Sequence, residues 1–124
     1  MKNNLHIFSE NKLSLLVERI VEFCEARDWK QFHNPKDLAI SLMLEAGEVL
    51  EHFQWKNNEE IEKHIKNNKN DIGEELADVL YWVLLMSHYL NIDILDSLER
   101  KISKNEEKYP VEKAKGRADK YTNL

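Results

Sequence analysis

The stretch 42–56 reads LMLEAGEVLEHFQWK and places three glutamates within an otherwise apolar helical pattern. At about 100° per residue, the apolar side chains of this region line up along one side of a helix. The stripe consists of Leu38, Leu42, Ala46, Val49 and Phe53. Glu45 and Glu48 lie to one side of this stripe. Ordinary solvation is one explanation for these acids, and a bound cation is the other.

The segment 71–90, DIGEELADVLYWVLLMSHYL, repeats this arrangement 30 positions further along the chain. Its stripe consists of Ile72, Leu76, Val79, Val83, Met86 and Leu90. Glu75 and Asp78 occupy the places that Glu45 and Glu48 occupy on the earlier helix. If the stripes pack together, matching edges fall on the same side in an antiparallel pair and on opposite sides in a parallel pair. We therefore expect the four carboxylates to converge if the helices are antiparallel.

The remaining chain predicts an all-α fold. Only three glycines and two prolines occur in 124 residues, too few for a chain rich in tight turns. Helices are predicted over about 11–28, 34–54, 71–90 and 93–109, with Asn34-Pro35 and Asp93 as start signals. The polar segment 57–70 is expected to be a loop that leaves room for one short helix at 59–66. The sequence thus predicts a single domain, 1–124, built as an oligomeric four-helix bundle with an extended tail from about 110–124.

Charge and hydropathy exclude several classes of partner. The net charge of −5 disfavours a nucleic-acid polymer, because its phosphates would be repelled. No segment approaches the ~18 uninterrupted apolar residues of a membrane span. The N-terminus lacks the apolar region of a secretory signal, and the lone Cys24 is expected in the core. These features favour a cytoplasmic protein.

The four acids favour a hard divalent cation. Converging carboxylates repel one another unless some are protonated, spread into solvent or share a cation. Mg²⁺ takes oxygen ligands and commonly binds substrate phosphates as well, and Mn²⁺ is an alternative. A di-iron bundle would need Glu-x-x-His on two helices, whereas Glu48 and His52 are four residues apart. Zinc would need clustered Cys or His. Either acidic motif taken alone could also belong to an ordinary solvent-exposed side of a helix that binds no metal.

The complete pattern resembles a known enzyme family. Glu45-x-x-Glu48 is followed, after 26 residues, by Glu75-x-x-Asp78. The strings ARDWKQFHNPKDLA, GEVLEHFQWK, EELADVLYWV and KYPVEKAKGRADKYTNL accompany it in register. Together they resemble the MazG-like all-α nucleoside triphosphate pyrophosphohydrolases, and within them the dCTP pyrophosphatase branch. The similarity covers most of the chain from about residue 26 onwards.

The resemblance implies an activity and a set of site residues. A (deoxy)nucleoside triphosphate, most simply dCTP or a modified dCTP, would be cleaved between the α and β phosphorus atoms with Mg²⁺. Glu45, Glu48, Glu75 and Asp78 match the metal ligands, and Glu48 is our choice for the base that activates water. The residues matching substrate contacts are Trp29, Lys30, Gln31, Phe32, His33, Trp55, Trp82, Asn105, Lys108 and Tyr109. The role would be sanitation of the nucleotide pool or signalling.

Two departures and one rival hypothesis accompany this interpretation. The branch usually has Tyr at the position of Trp82, and a substrate-contacting His is replaced by Ile20, so the preferred base stays open. Ile40 and Leu44 lie away from the main stripe and predict oligomerisation, for which the family implies a homotetramer built from dimers. The rival is a non-catalytic helical interaction or regulatory bundle whose acids only confer solubility.

Overall fold

The computed structural model describes residues 10–124, with Glu10 described by its backbone alone. Within that range the chain forms six α-helices and two short 3-10 helices, and it contains no strand. The α-helices are α1 (Glu10–Ala26), α2 (Pro35–Glu51), α3 (Asn58–Asn67), α4 (Lys69–Tyr89), α5 (Ile94–Lys108) and α6 (Val111–Ala114); the 3-10 helices are Lys30–Phe32 and Tyr121–Asn123. The predicted all-α class is confirmed. None of the helices in the described range has the length and hydropathy needed to cross a bilayer.

The helix count differs from the predicted four. The two additional helices are α3 and α6, and α3, ten residues long, lies in the polar segment where one short helix was left open at 59–66. A capping box starts it: Asn57 Oδ1 accepts a hydrogen bond from Glu60 N, and Glu60 Oε1 accepts one from Asn57 N. Such a box satisfies backbone donors that the first turn cannot pair by itself. Polar end signals therefore established a helix where the apolar pattern was weak.

The two long acid-bearing helices begin and end close to their predicted limits. Asn34 caps α2, since its side chain accepts from Asp37 N at 2.9 Å and Pro35 occupies the first turn. This arrangement matches the start predicted from Asn-Pro, because proline needs no hydrogen-bond partner there. Asp93 caps α5 in the same manner, accepting from Asp96 N at 3.1 Å.

The chain divides into two compact units, one ending at Asn91 and one spanning Ile92–Leu124. In the second unit, the residues expected to form an extended tail contain α6 and the 3-10 helix that starts at Tyr121. Tyr109 Oη accepts a hydrogen bond from Tyr121 N at 3.3 Å, and the two rings meet edge to face at 6.1 Å. These contacts hold the last residues against the end of α5. The expectation of a single domain stays a prediction.

The core of the first unit lies where α1, α2 and α4 meet. Cys24, Leu38 and Leu85 form its fully buried cluster, which confirms Cys24 as a core residue. On α4 the buried side is centred on Leu85, beside the predicted stripe, whereas Leu76 on that stripe is 53% exposed. The reason is that α4 packs against both α2 and α1. A single helical stripe cannot represent two packing faces.

Candidate functional site

The four predicted acids lie together in the first unit. Glu45 and Glu48 lie on α2, Glu75 and Asp78 lie on α4, and one carboxylate oxygen of each lies within 4.8 Å of the others. The convergence expected for antiparallel helices is therefore present. Glu45 and Glu75 are half-buried, whereas Glu48 and Asp78 are exposed. The cluster thus borders solvent and would be accessible to a ligand.

The pairing of the acids follows the directions of the two helices. The pKa of Glu45 is affected from α4 by Asp78 and Trp82, whereas the strongest influence on the pKa of Glu75 comes from Glu48 on α2. The earlier acid on α2 therefore meets the later residues on α4, as in an antiparallel pair. The repeated spacing in the sequence produces this meeting, because i and i+3 side chains share a helix face.

Two oxygen atoms in this cluster are buried without hydrogen-bond partners. Among the described residues, the unsatisfied buried side-chain atoms are Glu45 Oε2 and Glu75 Oε2, one from each helix. Buried polar atoms are normally paired, because an unpaired one forfeits hydration without compensation. An oxygen-only donor set with unsatisfied atoms on facing helices fits Mg²⁺ or Mn²⁺, which bind carboxylate oxygens. The role of these four residues as metal ligands stays a prediction.

The electrostatics of the cluster favour protonated forms in the metal-free protein. The pKa of Glu75 is raised to about 7 by its hydrogen bond with Glu48, by desolvation and by repulsion from the neighbouring carboxylates. The pKa of Glu45 is also raised, chiefly by desolvation and then by Glu48 and Asp78. A bound cation would reverse this effect, because it stabilises the ionised carboxylates. Binding of a cation would therefore stabilise the cluster electrostatically.

An aromatic group lies next to the acids. The ring of His33 meets Trp82 edge to face, with centroids 5.9 Å apart and an interplanar angle of 90°. Nδ1 of His33 is 3.4 Å from Tyr89 Oη. Burial lowers the pKa of His33 and thus favours its neutral imidazole. Of the predicted substrate-binding residues, Trp82 influences the pKa of Glu45, and His33 contacts Trp82. Tyr89 was missed, although its position seven residues after Trp82 puts both on one helix face.

The other predicted residues before α2 lie at the short 3-10 helix. Trp29 meets Phe23 edge to face at 5.5 Å. Gln31 Nε2 donates to the backbone and side-chain oxygens of Asp28, both at 2.9 Å, and Lys30 and Phe32 are exposed. Their roles in substrate binding stay predictions.

Trp55 has an unusual conformation and exposure. It lies beyond the end of α2 with a backbone φ of 67°, and its side chain is 91% exposed. A left-handed backbone disfavours a bulky L-residue by roughly 1–2 kcal/mol. A large indole held in solvent at such a position is suited to contacting a ligand or another chain, and its role stays a prediction.

The three predicted residues of α5 belong to the second unit. Asn105 and Lys108 lie in the last turn of α5, and Tyr109 follows it. The Lys108 Nζ lies 4.8 Å from the centroid of the Tyr121 ring, which also contacts Tyr109. Tyr121 belongs to a string that resembled the family but had no periodic signal. The roles of these residues in nucleotide binding stay predictions.

One turn beyond Glu48, His52 forms an unexpected pair. His52 Nδ1 lies 2.8 Å from Nε2 of His64, whose Nδ1 lies 3.1 Å from Asn68 Nδ2. If Asn68 donates to Nδ1, His64 carries its proton on Nε2 and donates it to His52. Desolvation, Lys56 and His52 lower the pKa of His64, which favours this neutral form. No sequence pattern indicated a role for His64.

Comparison with known proteins identifies the family. The sequence profile of the MazG-like family matches residues 40–124. This range includes all four acids, the whole of α4 and all of α2 apart from its first residues. The chain belongs to the MazG-like family. The resemblance stated from the acidic motifs is thereby confirmed.

Curated relatives of this MazG-like chain carry a common name. This chain is 36% identical over 105 residues to dCTP pyrophosphatase 1 of Mus musculus. The alignment covers 83% of this chain and 62% of the mouse protein. With the Bos taurus protein of the same name it shares 36% identity over 118 residues, covering 94% of this chain and 70% of that one. The Homo sapiens protein is 34% identical over 105 residues, with 83% and 62% covered. The chain therefore spans less than two-thirds of the length of the mouse and human relatives.

A solved structure supports the same relationship. The crystal structure of a pyrophosphatase from Archaeoglobus fulgidus aligns with a TM-score of 0.77 and 36% sequence identity. The alignment covers 80% of this MazG-like chain and 93% of the archaeal one. The fold is thus shared over nearly the whole of that protein.

Proposed function

We propose that this protein is a nucleoside triphosphate pyrophosphohydrolase that cleaves a (deoxy)nucleoside triphosphate to the monophosphate and pyrophosphate. The observation that carries the proposal is the convergence of four carboxylates from α2 and α4, two of which have buried oxygens without partners. The family and the names of its relatives support this reaction class. Within the proposal, dCTP or a modified dCTP is the substrate.

In this proposal the four acids have two roles, metal binding and activation of water. Glu45, Glu48, Glu75 and Asp78 would hold Mg²⁺, or Mn²⁺, and Glu48 would accept a proton from the attacking water. Bound in this position, the cation would neutralise phosphate charge and polarise the α-phosphorus. Glu48 suits the role of base because it is exposed and one of its carboxylate oxygens lies within 4.8 Å of those of the other three acids. Its carboxylate can therefore reach a water molecule at the solvent side of the cluster.

Aromatic side chains would bind the nucleoside. His33 contacts Trp82, which lies one helical turn beyond Asp78, so a base and sugar bound there would leave the triphosphate near the carboxylates. Stacking on an indole is worth ~1–3 kcal/mol per base. The proposal keeps Trp29, Lys30, Gln31, Phe32 and Trp55, together with Asn105, Lys108 and Tyr109, as further substrate contacts.

The proposal includes a homotetramer made of two dimers and a cytoplasmic location. Ile40 and Leu44, predicted to face away from the main stripe, are 49% and 66% exposed, and Met43 between them is 75% exposed. On α4, Leu76 and Leu80 are also about half exposed. Contiguous exposed apolar surface of this kind commonly marks a protein interface. Copies of this chain covering one another would remove it from water.

The test is pyrophosphate release from a panel of nucleoside triphosphates with Mg²⁺. Glu48→Gln should lower release at least ~100-fold, because it removes a ligand and the base at once. Glu51→Gln is the matched control, since Glu51 is exposed on the same helix and lies outside the cluster. A wild type without release from any nucleotide, or a Glu48→Gln variant as active as wild type, would support the non-catalytic helical bundle instead.

A further inference from the structure

The imidazole of His33 is held from helix α4 by two aromatic residues. His33 itself lies in the short connection between the 3-10 helix Lys30–Phe32 and the start of α2. Its ring meets Trp82 edge to face at 5.9 Å and lies 5.7 Å from the ring of Tyr89, with a tilt of 46°. Nδ1 of His33 lies 3.4 Å from Tyr89 Oη. Contacts with a helix therefore orient the side chain of a residue that has no helix of its own.

The two residues that hold His33 lie on the side of α4 that also carries Glu75. Trp82 follows Glu75 by seven residues, and Tyr89 follows Trp82 by seven more, so all three lie close to one line along the helix. Trp82 and Tyr89 also pack against the fully buried cluster of the first unit. One helix, anchored on the core, thus carries two of the predicted metal ligands and both contacts that fix the imidazole.

The direction of the hydrogen bond between Tyr89 and His33 follows from the needs of the two groups. In the described part of the chain, Nδ1 of His33 is the hydrogen-bond partner of the Tyr89 hydroxyl. Burial raises the pKa of Tyr89 and lowers that of His33, which keeps the phenol hydrogen and favours a neutral imidazole with one acceptor nitrogen. If Tyr89 donates to Nδ1, the phenol hydrogen has an acceptor and the imidazole carries its proton on Nε2. The reverse direction leaves the phenol hydrogen without an acceptor among these residues.

We propose that Tyr89 is a positioning residue that donates to Nδ1 of His33 and thereby presents the Nε2 hydrogen to an oxygen atom on the base or sugar of the nucleotide. This inference rests on the proposed function, in which His33 contacts the nucleoside. The edge-to-face contact with Trp82 restricts the plane of the imidazole, and the Tyr89 hydroxyl selects the nitrogen that carries the hydrogen. A ring N–H is matched by a base carbonyl and opposed by an exocyclic amino group, which is itself a donor.

The first measurement compares KM and kcat for dCTP with saturating Mg²⁺. Tyr89→Phe keeps the ring that packs on the core and removes the hydroxyl, so KM should rise ~2–10-fold with kcat unchanged. Tyr81→Phe is the matched control, because it removes a hydroxyl of the same helix that faces Cys24 at 3.2 Å. Its KM should equal that of wild type. In a His33→Gln background, Tyr89→Phe should cause no further change in KM, because the residue through which it acts is absent.

The second measurement observes the ring nitrogens of His33 by long-range proton–nitrogen NMR and requires neither nucleotide nor metal. In the wild type Nε2 should be protonated and Nδ1 unprotonated, and the His33→Gln spectrum identifies these signals by their loss. Tyr89→Phe should shift the Nδ1 resonance, whereas Tyr81→Phe should leave it in place. The wild-type spectrum tests the direction of the hydrogen bond even if Tyr89→Phe does not fold.

The outcomes separate this inference from the proposed function. If the wild type releases pyrophosphate, while Tyr89→Phe keeps the wild-type KM or the proton of His33 lies on Nδ1, the positioning role is wrong and the proposed function stands. If the wild type releases pyrophosphate from no nucleotide, both proposals are wrong. A higher KM in Tyr89→Phe that is absent in the His33→Gln background, together with a shifted Nδ1 resonance, supports the inference.

Discussion

The raised pKa of Glu75 makes Mg²⁺ binding depend on pH in a defined direction. In the metal-free protein this pKa is about 7, so a proton competes with the cation for the same carboxylate. Between about pH 8 and about pH 6 the protonated fraction rises from roughly one-tenth to roughly nine-tenths, and the apparent Mg²⁺ affinity should fall about tenfold. Calorimetry at several pH values measures this change directly.

The same pKa sets the sign of the stability change in the absence of metal. The folded value lies above the ordinary 4.5, so between these values the folded state holds a proton that the unfolded chain releases. The free energy of unfolding should therefore decrease as pH rises through this window. Saturating Mg²⁺ should oppose that loss, because it binds the ionised form. Urea titrations with EDTA and with Mg²⁺ at each pH measure both effects.

Substitutions at positions 74 and 75 test whether Glu75 causes the pH dependence of Mg²⁺ binding and of stability. Glu75→Gln should weaken Mg²⁺ binding and flatten the pH dependence of metal-free stability, because the titrating group and one ligand are removed together. Glu74→Gln is the matched control, since Glu74 is the exposed neighbour on α4 and is not part of the cluster. The reasoning is refuted if wild-type Mg²⁺ affinity is unchanged across the window, or if both variants retain the same pH dependence.

Three further predictions concern packing, capping and assembly. Leu85→Ala should lower the free energy of unfolding by ~2–5 kcal/mol, measured by urea denaturation, because Leu85 is fully buried between α1 and α2. Asn57→Ala should destabilise α3 by ~0.5–2 kcal/mol through loss of the capping box, and increased amide exchange confined to that helix would measure it. Leu44→Lys should convert the oligomer to a smaller species in sedimentation velocity, because it places a charge in the exposed apolar surface. Lys36→Ala, a change at an exposed residue of the same helix, should leave the oligomer unchanged. Unchanged sedimentation of Leu44→Lys would contradict the proposed interface.

The pattern of the two acidic helices predicted which four acids could meet, and it left their convergence dependent on antiparallel packing. Helical periodicity places Glu45 and Glu48 beside one stripe and Glu75 and Asp78 beside another, and this depends only on residue spacing. End signals such as Asn34-Pro35 likewise act within one turn of chain. Local rules of this kind can be deduced from a single sequence, because the interacting groups are close along the chain.

Helix α3 and the His52–His64 pair are features that local sequence rules predict less well. The capping box at Asn57 is a local signal, but a short polar helix has little apolar periodicity to accompany it. The two histidines are twelve residues apart on separate helices, and their contact follows from how those helices pack. Their hydrogen bond was therefore outside the reach of spacing arguments.

The sequence by itself determined the all-α class, the two amphipathic acid-bearing helices and the identity of the acids, because these depend on periodicity and on the charge of side chains. Only the tertiary structure decided that α4 is buried around Leu85, that His52 meets His64, and that two carboxylate oxygens lack hydrogen-bond partners. Those properties depend on distances between groups on different helices. Such distances are set by the packing of whole surfaces, which no local pattern specifies.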